Sequence, residues 1–182
     1  MIKGDERDMA AEDMNKFELE ADMTPETQII KMLRERGYSL STAESCSGGL
    51  LSARFVNIAG ISDVFKAGVI TYSNEAKVKQ LKVKPDTLAN FGAVSVQTAK
   101  EMALGVVKLA ETEVSLSITG IAGPDGGTEN KPVGLVYIGC CICEKVTVKE
   151  YHFQGDRLKV REEAVISALR LLQECLLCPK EI

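Results

Sequence analysis

Residues 41 to 49 read "STAESCSGG". The run leading in, "YSLSTAE" (38–44), alternates as a strand does. The run leading out, "LLSARFVNI" (50–58), has the apolar spacing of a helix. The stretch is therefore a strand-to-helix junction that sets Ser45, Cys46 and Ser47 against Gly48 and Gly49. Such a junction can be a capped helix start with Ser47 as the N-cap. It can also be an active site. Ser45 then sits at the strand end, and the amides of Ser47, Gly48 and Gly49 lie where backbone donors lack helical partners. Donors of that kind can hold an oxyanion, and glycine lets a ligand approach the backbone closely.

Strands and helices mix on either side of this junction. "PETQIIKMLRER" (25–36) predicts a helix capped by Thr24, with Pro25 in its first turn and Gly37 at its end. "FKAGVITYS" (65–73) reads as a second strand, and Asn74 is placed to cap the short helix "NEAKVKQL" (74–81). A small helix falls within 84–95. A long amphipathic helix runs from Val96, capped by Ser95, and "EVSLSITG" (113–120) is a strand. A polar, glycine-rich loop (121–134) leads to two antiparallel strands, "LVYIGCCIC" and "KVTVKEYHF", joined by a tight turn at Glu144-Lys145. The segment 156–177 is a closing helix. This order predicts an α/β fold, a three-layer α/β/α sandwich around a mixed sheet. The expected organisation is an acidic N-terminal tail over 1–24 and one domain over 25–178.

The chain has 182 residues, 45% of them hydrophobic, and a net charge of -4. Its length suits one domain of roughly 100–200 residues. A pI near 5.2 argues against general nucleic-acid binding. No apolar run reaches the roughly 20 residues of a membrane span, and the acidic start has no apolar signal core. Six cysteines without a secretion signal read as reduced thiols in a cytoplasm. Cys140, Cys141 and Cys143 fall in an apolar strand. Cys175 and Cys178 have the gap of a metal knuckle but no second ligand pair of matching spacing, so no metal is assigned. A homo-oligomer, a symmetric dimer, is the expected assembly on base rates alone.

One histidine, His152, rules out a multi-histidine metal site and leaves a histidine triad poorly supported. A lysine can activate a hydroxyl instead, if burial or nearby positive charge keeps part of it neutral. Lys77 fits best: it lies in the first turn of a short helix after a buried-looking strand, where the helix dipole disfavours a protonated amine. An ordinary solvated lysine is the alternative. The nucleophile is open among Ser45, Cys46 and Ser73. The loop "TGIAGPDGG" (119–127), with four glycines, can cradle phosphate through its amides or simply turn the chain. Asp156 is a natural helix cap, and Arg157 and Arg161, one turn apart, can grip a phosphate or face solvent.

"TAESCSGG", "AGVITYSNEAK", "GAVS", "TGIAGPDGG" followed by "KPVGLVYIG", and "GDR" with a following "VR" occur in one order at close spacing. Together they resemble the CinA C-terminal-domain family, whose enzymatic members are nicotinamide-nucleotide amidases. The resemblance covers about residues 25–175. It implies an α/β/α fold and hydrolysis of nicotinamide mononucleotide to nicotinate mononucleotide and ammonia, without metal or cofactor. Carried onto this chain, it implies Ser45 as nucleophile and Lys77 as base, with Ser47, Gly48 and Gly49 around the oxyanion. Tyr72, Asn74, Thr119, Gly120, Gly123 and Arg157 fall to substrate binding. The pyrophosphatase-like module common in the family has no counterpart in the residues given. Two other readings stand beside this one: a catalytically inactive nucleotide-binding protein on the same fold, and a hydrolase for another substrate using Cys46 or Ser73.

Overall fold

A computed structural model of the protein describes residues 24–177. The tail expected over 1–24 lies outside these residues except for Thr24, and so does Cys178.

Helix α1 (Pro25–Arg36) begins where the Thr24 hydroxyl accepts from the Thr27 amide, and ends at Gly37 in the left-handed region (φ 65°). The chain then forms β1 (Leu40–Glu44), α2 (Leu50–Val56), a short 3-10 turn at Ile61–Asp63 and β2 (Phe65–Ile70). Three helices follow: α3 (Asn74–Leu81), α4 (Pro85–Phe91) and α5 (Val96–Ala110). Next come β3 (Val114–Gly120), the glycine-rich loop, the hairpin β4 (Leu135–Ile142) and β5 (Lys145–His152), and finally α6 (Arg157–Leu177). Ser95 caps α5 and Asp156 caps the first turn of α6, as the sequence suggests.

Two local expectations are corrected. Ser73, not Asn74, caps α3: its hydroxyl accepts from the Ala76 amide at 3.1 Å, while Asn74 is the first helical residue. The hairpin turns at Cys143-Glu144, one residue earlier than expected. Ile142 pairs with Lys145, and both turn residues have positive φ (46° and 65°), the geometry that a two-residue hairpin requires.

The sheet has the order β2-β1-β3-β4-β5. Strand β1 is parallel to both β2 and β3, and β4 is antiparallel to β3 and β5. It is the expected mixed sheet. Helices α1, α2 and α6 cover one face, where Leu40, Leu116, Ile118 and Ile138 meet Ile29, Leu33, Phe55, Ala164 and Leu172 in the main core. Helix α5 covers the other face, with α3 and α4 packed against it. Among the described residues, no helix is long and apolar enough to cross a membrane.

The α5 face carries small side chains at Ser115, Ser117 and Gly139, and here the sheet meets the backbone of α5 directly. The Ser115 and Ser117 hydroxyls donate to the carbonyls of Ala103 and Ala99 at 2.8 and 2.7 Å. On its outer side α5 meets α3 at Gly105, where an added Cβ would lie 2.1 Å from the Leu81 carbonyl oxygen. That contact sets the depth of α3, the helix that carries Lys77. Gly105→Ala should therefore destabilise the fold by about 1–3 kcal/mol, despite the roughly 1 kcal/mol by which alanine is the better helix former. Urea unfolding of the two proteins measures the difference.

Candidate active site

The carboxyl ends of the three parallel strands converge on one cleft, the position where open α/β sheets bind ligands. Ser45 follows β1, Thr71 and Tyr72 follow β2, and Thr119 and Gly120 end β3. The cleft has a volume of about 260 Å³. Ser45, Cys46, Tyr72, Lys77, Ala93 and Arg157 line it, together with the glycine loop from Thr119 onward.

At its base, Lys77 Nζ donates to Ser45 Oγ at 3.0 Å and to the Thr71 carbonyl at 2.7 Å. Lys77 is 1% exposed. Its contacts are a hydroxyl and a carbonyl, and it forms no ion pair among the described residues. Burial lowers its pKa from the ordinary lysine value to about 8, against a smaller opposing influence from Cys46. A useful fraction is thus neutral near pH 7, and a neutral amine within hydrogen-bond reach of a hydroxyl can take its proton.

The other two candidate nucleophiles are otherwise engaged. The Ser73 hydroxyl caps α3. Cys46 lines the cleft, but burial pushes its thiol up to about 11, so it is held protonated near neutral pH. His152 is an exposed strand residue paired with Glu150 at 2.8 Å.

The turn carrying Ser45 is held by two residues whose part the sequence reading did not identify. Glu44, fully buried at the end of β1, turns its carboxylate onto the start of α2. It accepts from the amides of Gly49, Leu51 and Ser52 at 2.9, 3.1 and 2.8 Å, and from the Ser52 hydroxyl. An anion at a helix N-terminus satisfies donors and dipole together. Capping therefore falls to Glu44: Gly49 occupies the N-cap position (φ 96°), and Ser47 Oγ is buried without a hydrogen-bond partner among the described residues. From the other side, Arg161 of α6 donates from Nε to the Cys46 carbonyl at 3.1 Å and from an Nη to the Ser47 carbonyl at 2.9 Å.

These contacts narrow the oxyanion role expected of Ser47, Gly48 and Gly49. The Gly48 amide donates to the Ser45 carbonyl at 3.1 Å and the Gly49 amide to Glu44. Both are occupied, because the turn closes on itself and α2 takes its cap from β1. The Ser47 amide faces the Cys46 sulfur, a weak acceptor. It belongs to the same peptide group as the Cys46 carbonyl that Arg161 grips. A cation on that carbonyl polarises the peptide and makes the Ser47 N–H the stronger donor.

The remaining expected residues fall in three places. Tyr72 is largely exposed at the rim, and its hydroxyl accepts from Arg157 at 2.7 Å. Arg157 also donates to the Gly123 carbonyl at 2.8 Å, so Tyr72, Arg157 and Gly123 form one wall. Thr119, buried, donates its hydroxyl to the Ala93 carbonyl at 2.7 Å. Gly120 lies where an added Cβ would meet Val136 at 2.6 Å. Asn74 is exposed and does not line the cleft. Arg161 serves the turn, so the two arginines do not act as a pair on the cleft. Lys131, unremarked in the sequence, donates to the carbonyls of Phe91 and Val94 at 2.6 and 2.7 Å. It ties the glycine loop to the segment that supplies Ala93 and Val94.

The family model for the CinA C-terminal domain matches residues 22–176. A relative from Clostridium novyi, named for competence-damage induction, is 56% identical over 154 residues, 85% of this chain and 37% of its own length. A CinA-like protein of Kosmotoga olearia is 54% identical over 149 residues, 82% of this chain and 36% of its own. The chain thus spans little more than a third of the curated relatives it matches. Among solved structures, the competence/damage inducible protein CihA of Agrobacterium tumefaciens is 39% identical, with a TM-score of 0.81 over 85% of this chain and 94% of that one. The competence damage-inducible protein A of Klebsiella pneumoniae gives 36% and 0.82 over 84% and 95%. The chain belongs to the CinA C-terminal domain family.

Proposed function

We propose that this chain is an amidohydrolase that converts nicotinamide mononucleotide to nicotinate mononucleotide and ammonia through a serine–lysine acyl-enzyme. The observation that carries the reading is the 3.0 Å hydrogen bond between Ser45 and a buried Lys77 that has no carboxylate partner among the described residues. The substrate comes from the sequence resemblance, and a cleft walled by an arginine and a glycine-rich loop supports it.

Neutral Lys77 takes the Ser45 proton as Oγ attacks the amide carbon. The negative charge on the amide oxygen falls to donors at the turn, the polarised Ser47 amide first among them. Protonated Lys77 then gives its proton to the departing ammonia. Water enters by the same route, loses a proton to Lys77 and frees Ser45 and the carboxylate product. The pyridinium ring withdraws electrons from the carboxamide and makes it more reactive than a peptide bond. Arg157 and the glycine loop face the ribose and phosphate.

Ammonia release from nicotinamide mononucleotide, with a chelator present, tests the reading. Ser45→Ala and Lys77→Ala should each lose about 10²-fold or more in kcat while keeping wild-type circular dichroism. Near-wild-type turnover in either variant, or a wild-type protein that binds the nucleotide without releasing ammonia, contradicts it. The second outcome favours the binding-protein reading.

The pH profile follows from the sign of the Lys77 shift. The amine must be neutral to act, so kcat/KM should rise with pH and level off above about 8. A profile flat from pH 6 to 9 would count against Lys77 as the base.

Arg161→Gln should lower kcat by about 10–100-fold, equivalent to about 1.4–2.7 kcal/mol, and leave KM and the pH midpoint nearly unchanged. Arg161→Lys should recover part of the loss. A change confined to KM would place Arg161 in substrate binding instead.

A further inference from the structure

Five free cysteines lie among the described residues, and the proposed reaction uses none of them. Two of these meet across the main core. Strand alternation turns Cys140 of β4 toward α6, where it is 1% exposed. Cys175, near the end of α6, packs half-buried against the same cluster. The two thiols lie close enough that each shifts the other's titration. Strand β5 completes the surroundings. Thr147 sits directly opposite Cys140 in the ladder, and its hydroxyl favours the thiolate of Cys175. Lys149, two residues further along the same face, brings its ammonium near Cys175 while paired with Glu174.

The two thiols therefore have unequal environments. Cys140, Thr147 and Lys149 together hold Cys175 down to about 7, whereas the neighbouring Cys175 and burial push the Cys140 thiol well up. An accessible thiolate beside a sealed thiol is the arrangement in which one sulfur attacks and the other resolves. The other three cysteines among the described residues lack it. Cys46 lies in the cleft, Cys141 points to the opposite face of β4 under α5, and Cys143 is exposed on the hairpin turn.

We propose that Cys140 and Cys175 are a modification site: a reversible disulfide that staples α6 to β4, formed by exchange with a small-molecule disulfide. The Cys175 thiolate attacks one sulfur of the disulfide, breaks its S–S bond and releases one small thiolate. Cys140 then loses its proton and attacks Cys175 Sγ, expelling the second small thiolate. Two protein thiols are oxidised to one disulfide, and one small-molecule disulfide is reduced to two thiols. The staple secures the far end of the helix whose first turns carry Arg157 and Arg161. The inference does not rest on the amidase reading.

The test exposes purified full-length protein to oxidised glutathione over a range of thiol-to-disulfide ratios, followed by fragment-ion mapping under non-reducing conditions and by thermal melting. The expected product is a Cys140–Cys175 crosslink, reversed by dithiothreitol, with a melting midpoint a few degrees above the reduced protein. Cys140→Ser should stop at a glutathione adduct on Cys175. Cys175→Ser should give no crosslink, and Cys178→Ser should behave as wild type. A crosslink between Cys175 and Cys178, adducts confined to Cys143, or thiols that stay reduced under the most oxidising ratio would each overturn the proposal.

Discussion

A lysine amine buried beside a serine hydroxyl, with no carboxylate among the described residues to neutralise it, is the constraint on which the rest of this site depends. A charge in that position is costly, so the protein shifts the titration instead of pairing the group. The consequence for stability has a definite sign. The folded pKa lies near 8 and the unfolded value near 10.5, so the unfolded chain binds more protons between those values. Stability contributed by this residue therefore rises as pH climbs through that window, and the penalty is complete below it. A fold that keeps such a residue must hold it firmly. The Gly105 crossing that seats α3 against α5 provides that hold.

The same logic explains why the serine turn is braced from two sides. Ser45 sits where a parallel strand ends and the backbone must reverse into a helix within five residues, from Ser45 to Gly49. Glu44 satisfies the helix start from inside the core, and Arg161 fixes two carbonyls of the turn from the neighbouring helix. Opposite charges thus grip opposite ends of one short segment. The anion faces the amides of α2 and the cation faces the carbonyls that precede them. The Ser45 hydroxyl is set by the backbone, and the backbone is set by these two side chains.

Much of this was legible in the sequence, for physical reasons. The strand and helix periods around "STAESCSGG" fixed the junction, and the order of elements gave the three layers and the mixed sheet. The scarcity of histidine points to lysine, and Lys77 is the lysine that the fold buries. The preceding strand reads as buried in the sequence, yet β2 is the edge strand of the sheet with alternate residues exposed, and it is the seat of α3 against α5 that covers the amine. What stayed hidden depended on direction rather than type. Glu44 reads as the last polar residue of a strand, and only the fold reveals that its carboxylate turns inward onto α2. Arg161 reads as one half of a phosphate clamp with Arg157, yet its place one turn further along α6 brings it to the turn behind the cleft. The amides of Gly48 and Gly49 looked free because their acceptors, the Ser45 carbonyl and the Glu44 carboxylate, come from the turn's own closure. The cap of α3 was misplaced by one residue because serine and asparagine are both good caps and stand side by side at 73 and 74.

The most direct measurement is a site-resolved titration of Lys77 by NMR, with lysine side chains labelled at Cε and the resonance assigned by its loss in Lys77→Arg. A midpoint near 8, well below those of the surface lysines, and a shift of that midpoint in Ser45→Ala are the expected results. A midpoint in the ordinary range near 10.5 would mean that the amine stays charged at neutral pH, and the serine–lysine dyad could not work as described.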